Sequence, residues 1–225
     1  MKNKHTIIVI AALVGNALAQ APVPPPIVIE ERVIENVPSN PGGVQAAQRR
    51  LDAAMARERL GVAPVEIPTE NPGVVGTIVE TTTVETPGKP TRVYSSERNV
   101  VIVGGRELPY LTLPVLFVEG TADLLDAESR LAIEDTATAI KGVLVTNPTA
   151  MFDVEGHTST DGSEEMNMTL SADRSRRIYT ELIEHYSVPP SALAAHGYGE
   201  NFPKYPDGSE DQMVLDRRVL VVRMK

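Results

Sequence analysis

From Pro109 to the C-terminus the chain alternates short apolar runs with longer amphipathic ones, and few architectures accept that alternation. LTLPVLFVEG reads as a strand, and TADLLDAESRLAIEDTATAIKGVL reads as a helix burying Leu124, Ala127, Leu131, Ile140, Val143 and Leu144 on one face. Asn147-Pro148 ends that helix, because the residue before a proline disfavours the α region. AMFDVEG is a second strand, and Ser171 is placed to cap a second helix whose Ile178, Leu182 and Ile183 turn inward. SVPPSALAAHGYGE gives a third strand entered through Pro189 and Pro190, and RRVLVVRM a fourth that is too apolar for an exposed edge. The pattern predicts an α/β fold, a two-layer α+β sandwich in which helices cover one mixed sheet over residues 109–225.

Aromatic residues agree with that placement of the core. Eight of the nine Phe and Tyr residues lie at or after Tyr110, and buried aromatics supply a large share of core area. Residues 1–19 read as an export signal: Lys2 and Lys4 precede the apolar run Ile7 to Ala19, and Ala17-Leu18-Ala19 offers the cleavage site. Residues 20–72 form a proline-rich arm, spacer rather than domain, with a short, mostly solvated helix near 44–60 whose stripe is Val44, Ala47, Leu51 and Met55. Residues 73–108 are rich in β-branched side chains around a PGKP turn and read as a β-hairpin.

Charge and cysteine usage narrow the function classes. Removal of Lys2 and Lys4 with the signal takes the formal charge from −9 to −11, so binding to nucleic acid or anionic lipid is not expected. With no cysteine there is no disulfide, thiolate metal site or N-terminal lipid anchor, and after signal cleavage no transmembrane segment is expected. A soluble protein of a Gram-negative periplasm fits, associated with the cell wall or outer membrane.

The chemistry-bearing stretch is GHTSTDGSEEMNMTLSADRSRR, residues 156–177. His157 has no serine elbow, cysteine or acid pair at a catalytic spacing, and His185 and His196 share no metal-ligand spacing with it. It reads as a buried, hydrogen-bonded loop histidine. No enzyme and no cofactor are expected. Gly156, Gly162 and Gly199 read as turn residues, and Arg176 and Arg177 as solvated helix positions.

These residues carry a resemblance. Gly156-His157-Thr158-Ser159, Gly162-Ser163, Asn167, Leu170-Ser171 and Arg174-Ser175 follow the pattern G-H-T-D-x-x-G-S-x-x-x-N-x-x-L-S-x-x-R-A. Gly197-Tyr198-Gly199-Glu200 with Pro203, and Asp216-Arg217-Arg218-Val219, follow its later motifs. Over roughly residues 110–225 the chain resembles the OmpA-like C-terminal domain shared with the peptidoglycan-associated lipoprotein and the stator protein MotB. The resemblance implies a β-α-β-α-β-(loop/α)-β domain that binds peptidoglycan noncovalently through the zwitterionic end of its diaminopimelate stem residue.

In such domains the Asp of G-H-T-D accepts the ammonium and the Arg of L-S-x-x-R-A holds the carboxylate. Arg174 matches that arginine, whose planar fork suits a carboxylate, and its expected place near a helix start would add backbone amides. Asn167 and Leu170 shape the pocket or its loop, with Thr158, Phe117 and Arg218 beside it. The sequence departs from the pattern at two acids: Ser159 replaces the Asp, and Val118 stands where an acid commonly follows the Phe. Asp161 and Glu119 are candidate substitutes. Two functions follow: a wall-binding module whose residues 20–108 reach another envelope protein, or a periplasmic scaffold that has lost peptidoglycan binding.

Overall fold

The computed structural model describes residues 51–67, 81–84, 92–95 and 98–225. The expected signal, most of the proline-rich arm and the first part of the expected 44–60 helix lie outside the described residues. The elements are α1 (Ala53–Gly61), β1 (Val65–Glu66), β2 (Thr81–Val84), β3 (Arg92–Ser95), β4 (Val100–Val103), β5 (Arg106–Leu113), α2 (Ala127–Thr146), β6 (Phe152–Gly156), α3 (Glu164–Glu184), β7 (Leu193–Gly197), α4 (Glu210–Met213) and β8 (Val219–Arg223).

The strands form one mixed sheet in the order β2-β3-β4-β5-β8-β6-β7, with β1 paired to β5. β6 and β7 are parallel and the other pairs antiparallel. β8 lies between β5 and β6 and is buried along its whole length, as its unbroken apolar run requires. Val219 and Val221 point to the helices, Leu220 and Val222 to the opposite face.

Alternation divides the other strands in the same way. Leu111 and Leu113 of β5 and Phe152 and Val154 of β6 join α2 and α3 in the larger core. Asp126 caps α2 by accepting the Ser129 N–H at 2.9 Å, and the helix ends at Asn147 before Pro148. Its buried face is Ala132, Ile133, Thr136, Ala137, Ala139, Ile140 and Val143, whereas Ala127 and Leu131 are exposed, contrary to the expected stripe. α3 begins at Glu164 with Ser163 as its cap, so Ser171 is not a cap but a buried residue inside the helix. β5 stops at Pro114, which lacks a ladder donor. The expected first strand therefore starts and ends earlier, and residues 114–126 form a loop closed by Phe117 against Leu124.

The second face of the sheet carries a layer that the two-layer expectation did not contain. β3 is four strands from β6 along the sheet, yet Arg92 Nη2 donates to Glu155 Oε1 at 2.5 Å and Tyr94 Oη to Glu155 Oε2 at 2.9 Å. The sheet therefore curls, and the β2-β3-β4 meander folds back over β6 and β8. Tyr94, Val101, Leu108, Tyr110, Phe202, Leu220 and Val222 form the core between them. Thr81–Val84 and Arg92–Ser95 pair antiparallel as expected of strands either side of the PGKP turn, the ladder continues through β4 into β5, and residue 109 lies inside β5, in register with Val100 of β4.

α1 is docked, not solvated. Ala56 and Leu60 are fully buried in the larger core while Met55 is half exposed, so the buried stripe differs from the expected one. Arg223 of β8 donates from Nη1 to the carbonyls of Leu60 and Gly61 at 2.9 and 2.6 Å, which closes the end of α1.

Candidate functional site

The strand-to-helix loop after β6 is built by close approach. A Cβ added to Gly156 would lie 2.1 Å from the Ser171 carbonyl oxygen, so only glycine lets α3 rest on the strand end. Gly162, at φ +93°, turns the chain into the Ser163 cap. From the first turn of α3 the buried Asn167 reaches back: its Nδ2 donates to the carbonyls of Ser159 at 3.3 Å and Asp161 at 2.8 Å and to Glu200 Oε2 at 2.6 Å. Asn167 holds the loop in place.

That loop presents Ser159 and Asp161 to Arg217. Ser159 Oγ donates to Asp161 Oδ2 at 3.0 Å and accepts from Arg217 Nε at 3.1 Å. Arg217 Nη2 donates to the same Asp161 oxygen at 2.8 Å and Nη1 to Glu210 Oε1 at 2.5 Å. Arg217, with Ser159 second, holds the Asp161 carboxyl below its ordinary range. Of the Arg217-Arg218 pair, the motif placed Arg218 at the site, whereas the network is made by Arg217.

Arg174 stands in the third turn of α3, not at its start, so no free backbone amides accompany it. Its Nε donates to the Thr121 carbonyl at 2.9 Å, and the guanidinium carbon lies 4.9 Å from the Phe117 ring centroid. Burial first, then the charge of Arg217, lowers its pKa from the ordinary value. Nη1 and Nη2 have no hydrogen-bond partner among the described residues, so a pinned fork with two free donors is left at this end of the molecule. Leu170 is half-buried on the same helix, and Val118 and Glu119 are exposed beyond Phe117.

Two expected site residues lie elsewhere. Arg218 donates to Asp216 Oδ1 at 3.1 Å and the Phe202 carbonyl at 2.9 Å, 5.7 Å from the Tyr94 ring centroid on the meander side. Thr158 is buried, its N–H donates to the Gly199 carbonyl at 2.9 Å, and its hydroxyl has no partner among the described residues. His157 is buried as expected, and its backbone N–H donates to the Arg218 carbonyl at 2.9 Å. It stacks on Tyr198 at 5.5 Å, and Nε2 lies 3.5 Å from Glu155 Oε2, a long contact, while Nδ1 has no hydrogen-bond partner among the described residues. Burial first, then the nearby Arg218, pushes its pKa down to about 4. Among the described residues no three His, Cys, Asp or Glu side chains gather to hold a metal, and no helix is long and apolar enough to cross a membrane.

Residues 116–217, from Phe117 with its loop through Arg217, match the model of the OmpA family. They form an OmpA family domain. Over 120 residues, 51% of this chain and 30% of the relative, the chain is 32% identical to an outer membrane protein of Gluconacetobacter diazotrophicus. Over 72 residues, 32% of this chain and 21% of the relative, it is 32% identical to outer membrane porin F of Pseudomonas aeruginosa. The chain thus spans less than a third of the length of these curated relatives. Among solved structures it is similar to the peptidoglycan-associated lipoprotein from Burkholderia pseudomallei, with 20% identity, 49% of this chain and 88% of that one covered, and a TM-score of 0.43. It is also similar to the periplasmic domain of Helicobacter pylori MotB (residues 78–256), with 21% identity, 63% and 86% covered, and a TM-score of 0.44. The OmpA family domain begins within the β5–α2 loop, so α1 and the meander lie outside the matched residues.

Proposed function

We propose that this is a noncatalytic periplasmic protein that binds peptidoglycan through its OmpA family domain, with Arg174 holding the free carboxylate of the diaminopimelate stem residue. One observation carries the reading: Arg174 is fixed at Nε by the Thr121 carbonyl and against the Phe117 ring, yet keeps two terminal donors free. A guanidinium anchored in this way binds a carboxylate in two-point geometry with little further loss of side-chain freedom. The name of the peptidoglycan-associated lipoprotein supports the same ligand class. The export signal read in residues 1–19 and the outer-membrane relatives support the compartment. Residues 20–108, which precede the OmpA family domain, are the segment through which the protein would contact a second envelope protein.

The absence of an acid at Ser159 and Val118 favours a second reading, a scaffold that no longer grips the wall. Sedimentation of the mature protein with purified sacculi separates the two. Wall binding predicts a bound fraction that free diaminopimelate displaces. Recovery of all the protein in the supernatant, or binding that free diaminopimelate leaves unchanged, would favour the scaffold.

A further inference from the structure

We infer that the β2-β3-β4 meander is an acid-released flap, which turns on β5 about Pro109 and is latched to β6 by the buried carboxylate of Glu155, with His157 beside that carboxylate as the group whose protonation opens it. The sheet changes partners along β5: residues 106–109 pair with β4 and residues 110–113 with β8. Pro109, at the change-over, has no N–H to give to either ladder. Among the described residues the meander is therefore joined to β8 and β6 along the sheet through β5 alone. Across the face, β3 and β4 bring only Tyr94 and Val101 as buried apolar side chains, with Val103 partly buried. The polar latch thus carries a large share of the closure: Arg92 and Tyr94 take one oxygen each of Glu155, and the Arg92 and Glu155 side chains are 7% and 0% exposed.

The charges around the latch turn against it in acid. Among the described residues, β3 brings Arg92 and Tyr94 to this face, β6 brings Asp153 and Glu155, and β7 brings His196, which pairs with Asp153. The flanking loops bring His157, Tyr198 and the Arg218–Asp216 pair, and β4 has no ionisable side chain. The His157 ring stands at right angles to Tyr94 at 5.5 Å, and its Nε2 lies 3.5 Å from Glu155 Oε2, the oxygen to which Tyr94 donates. A proton on that imidazole adds a third cation beside Arg92 and Arg218 and competes with Tyr94 for its acceptor. Burial first, then Arg218, pushes the imidazole down to about 4, so the closed meander is fully favoured above about pH 6.5 and loses that support as pH falls towards 4. Burial raises the Glu155 carboxyl, and His157 and Arg92 more than offset it, so Glu155 acts in the same sense. Asp153, raised by burial and then by the Glu155 charge, acts in the opposite sense and tempers the release.

Hydrogen–deuterium exchange of the mature protein at pH 7.5 and 4.5, expressed as protection over the intrinsic rate at each pH, tests this. The amides of β3 and β4 should lose protection about ten- to a hundredfold at pH 4.5, while those of α2, α3 and β8 keep theirs. His157→Phe keeps the ring stacking and cannot take up a proton, so β3 and β4 should stay protected at pH 4.5 in that variant. Glu155→Gln removes the charge that holds Arg92 and should leave β3 and β4 poorly protected at both pH values. If His157→Phe does not fold, the wild type decides alone: by NMR its His157 ring should titrate well below pH 6.5 and in step with the loss at β3 and β4. Unchanged protection of β3 and β4 at pH 4.5, an equal loss across α2, α3 and the meander, or an undiminished loss in folded His157→Phe overturns the flap. So does a His157 ring that titrates near pH 6.5.

Discussion

Single residues decide what the loop after β6 offers to solvent. The hydroxyl of Ser159 donates to Asp161 and accepts from Arg217, a pair of roles that a carboxylate cannot fill together. Ser159→Asp therefore places a second carboxylate against Asp161 with one guanidinium between them. Like charges at that spacing do not ionise independently, and one carboxyl should titrate above its ordinary range. A carboxyl titration followed by NMR reads this directly; two unperturbed carboxyls in the variant would mean that the loop does not hold these groups together. His157 offers a second test. Its folded pKa of about 4 lies below its ordinary value of 6.5, so its neutral form is the one the fold accepts, and the stability it contributes is complete above about pH 6.5 and lost as pH falls towards 4. Glu155 and Tyr94 face the ring, and Arg92 and Arg218 add positive charge that a protonated imidazole would meet. Denaturant midpoints from pH 7.5 to 4.5 should fall by an amount equivalent to as much as about 3 kcal/mol. His157→Phe, which keeps the ring stacking and removes the titrating imidazole, should flatten that profile. An unchanged slope in the variant would assign the acid sensitivity elsewhere.

At the level of elements, the meander and α1 are parts of the core that sequence patterns made look peripheral. β6 was read correctly as a strand, and the alternation of Asp153 and Glu155 with Phe152 and Val154 marks one polar and one apolar face. What could not be read was the partner of the polar face, because Arg92 and Tyr94 come from a strand 63 and 61 residues earlier and reach Glu155 only when the sheet curls. For α1 the apolar positions were too few to show which face docks, and the helix is held by Arg223 from the far end of the chain. Burial pushes the Glu155 carboxyl up, and His157, Arg92 and Tyr94 more than offset it. Arg92→Ala leaves that carboxylate buried and short of its cation, which should cost about 3–5 kcal/mol of stability in chemical denaturation. Replacing both partners, Arg92→Met with Glu155→Leu, should recover most of the loss. If the single variant is neutral, the meander does not pack on β6 as described. Leu60→Ala, in a fully buried position of α1, should cost about 2–5 kcal/mol in the same assay.

For the molecule as a whole, the folded unit reaches further towards the N-terminus than the family match. A boundary near residue 109 follows from where the aromatics and the strand-helix alternation begin, since those signals report local pattern and not which surface another segment covers. A fragment from residue 107 lacks Arg92, Tyr94 and α1, and should melt broadly or not at all, whereas one from residue 51 should unfold in a single cooperative transition. Sharp melting of the shorter fragment would make α1 and the meander accessory to the domain. The motif residues were legible from the resemblance because they fall at the spacings of its pattern, while the Arg217 network was not, because it depends on which way one arginine in the turn before β8 points. The central claim is that Arg174 clamps a wall carboxylate. Titration of the diaminopimelate-containing muropeptide into the wild type and into Arg174→Ala tests it most directly: loss of one charge-assisted contact, about 1.5–3 kcal/mol, should weaken binding about ten- to a hundredfold. Equal affinity of two folded proteins would contradict it.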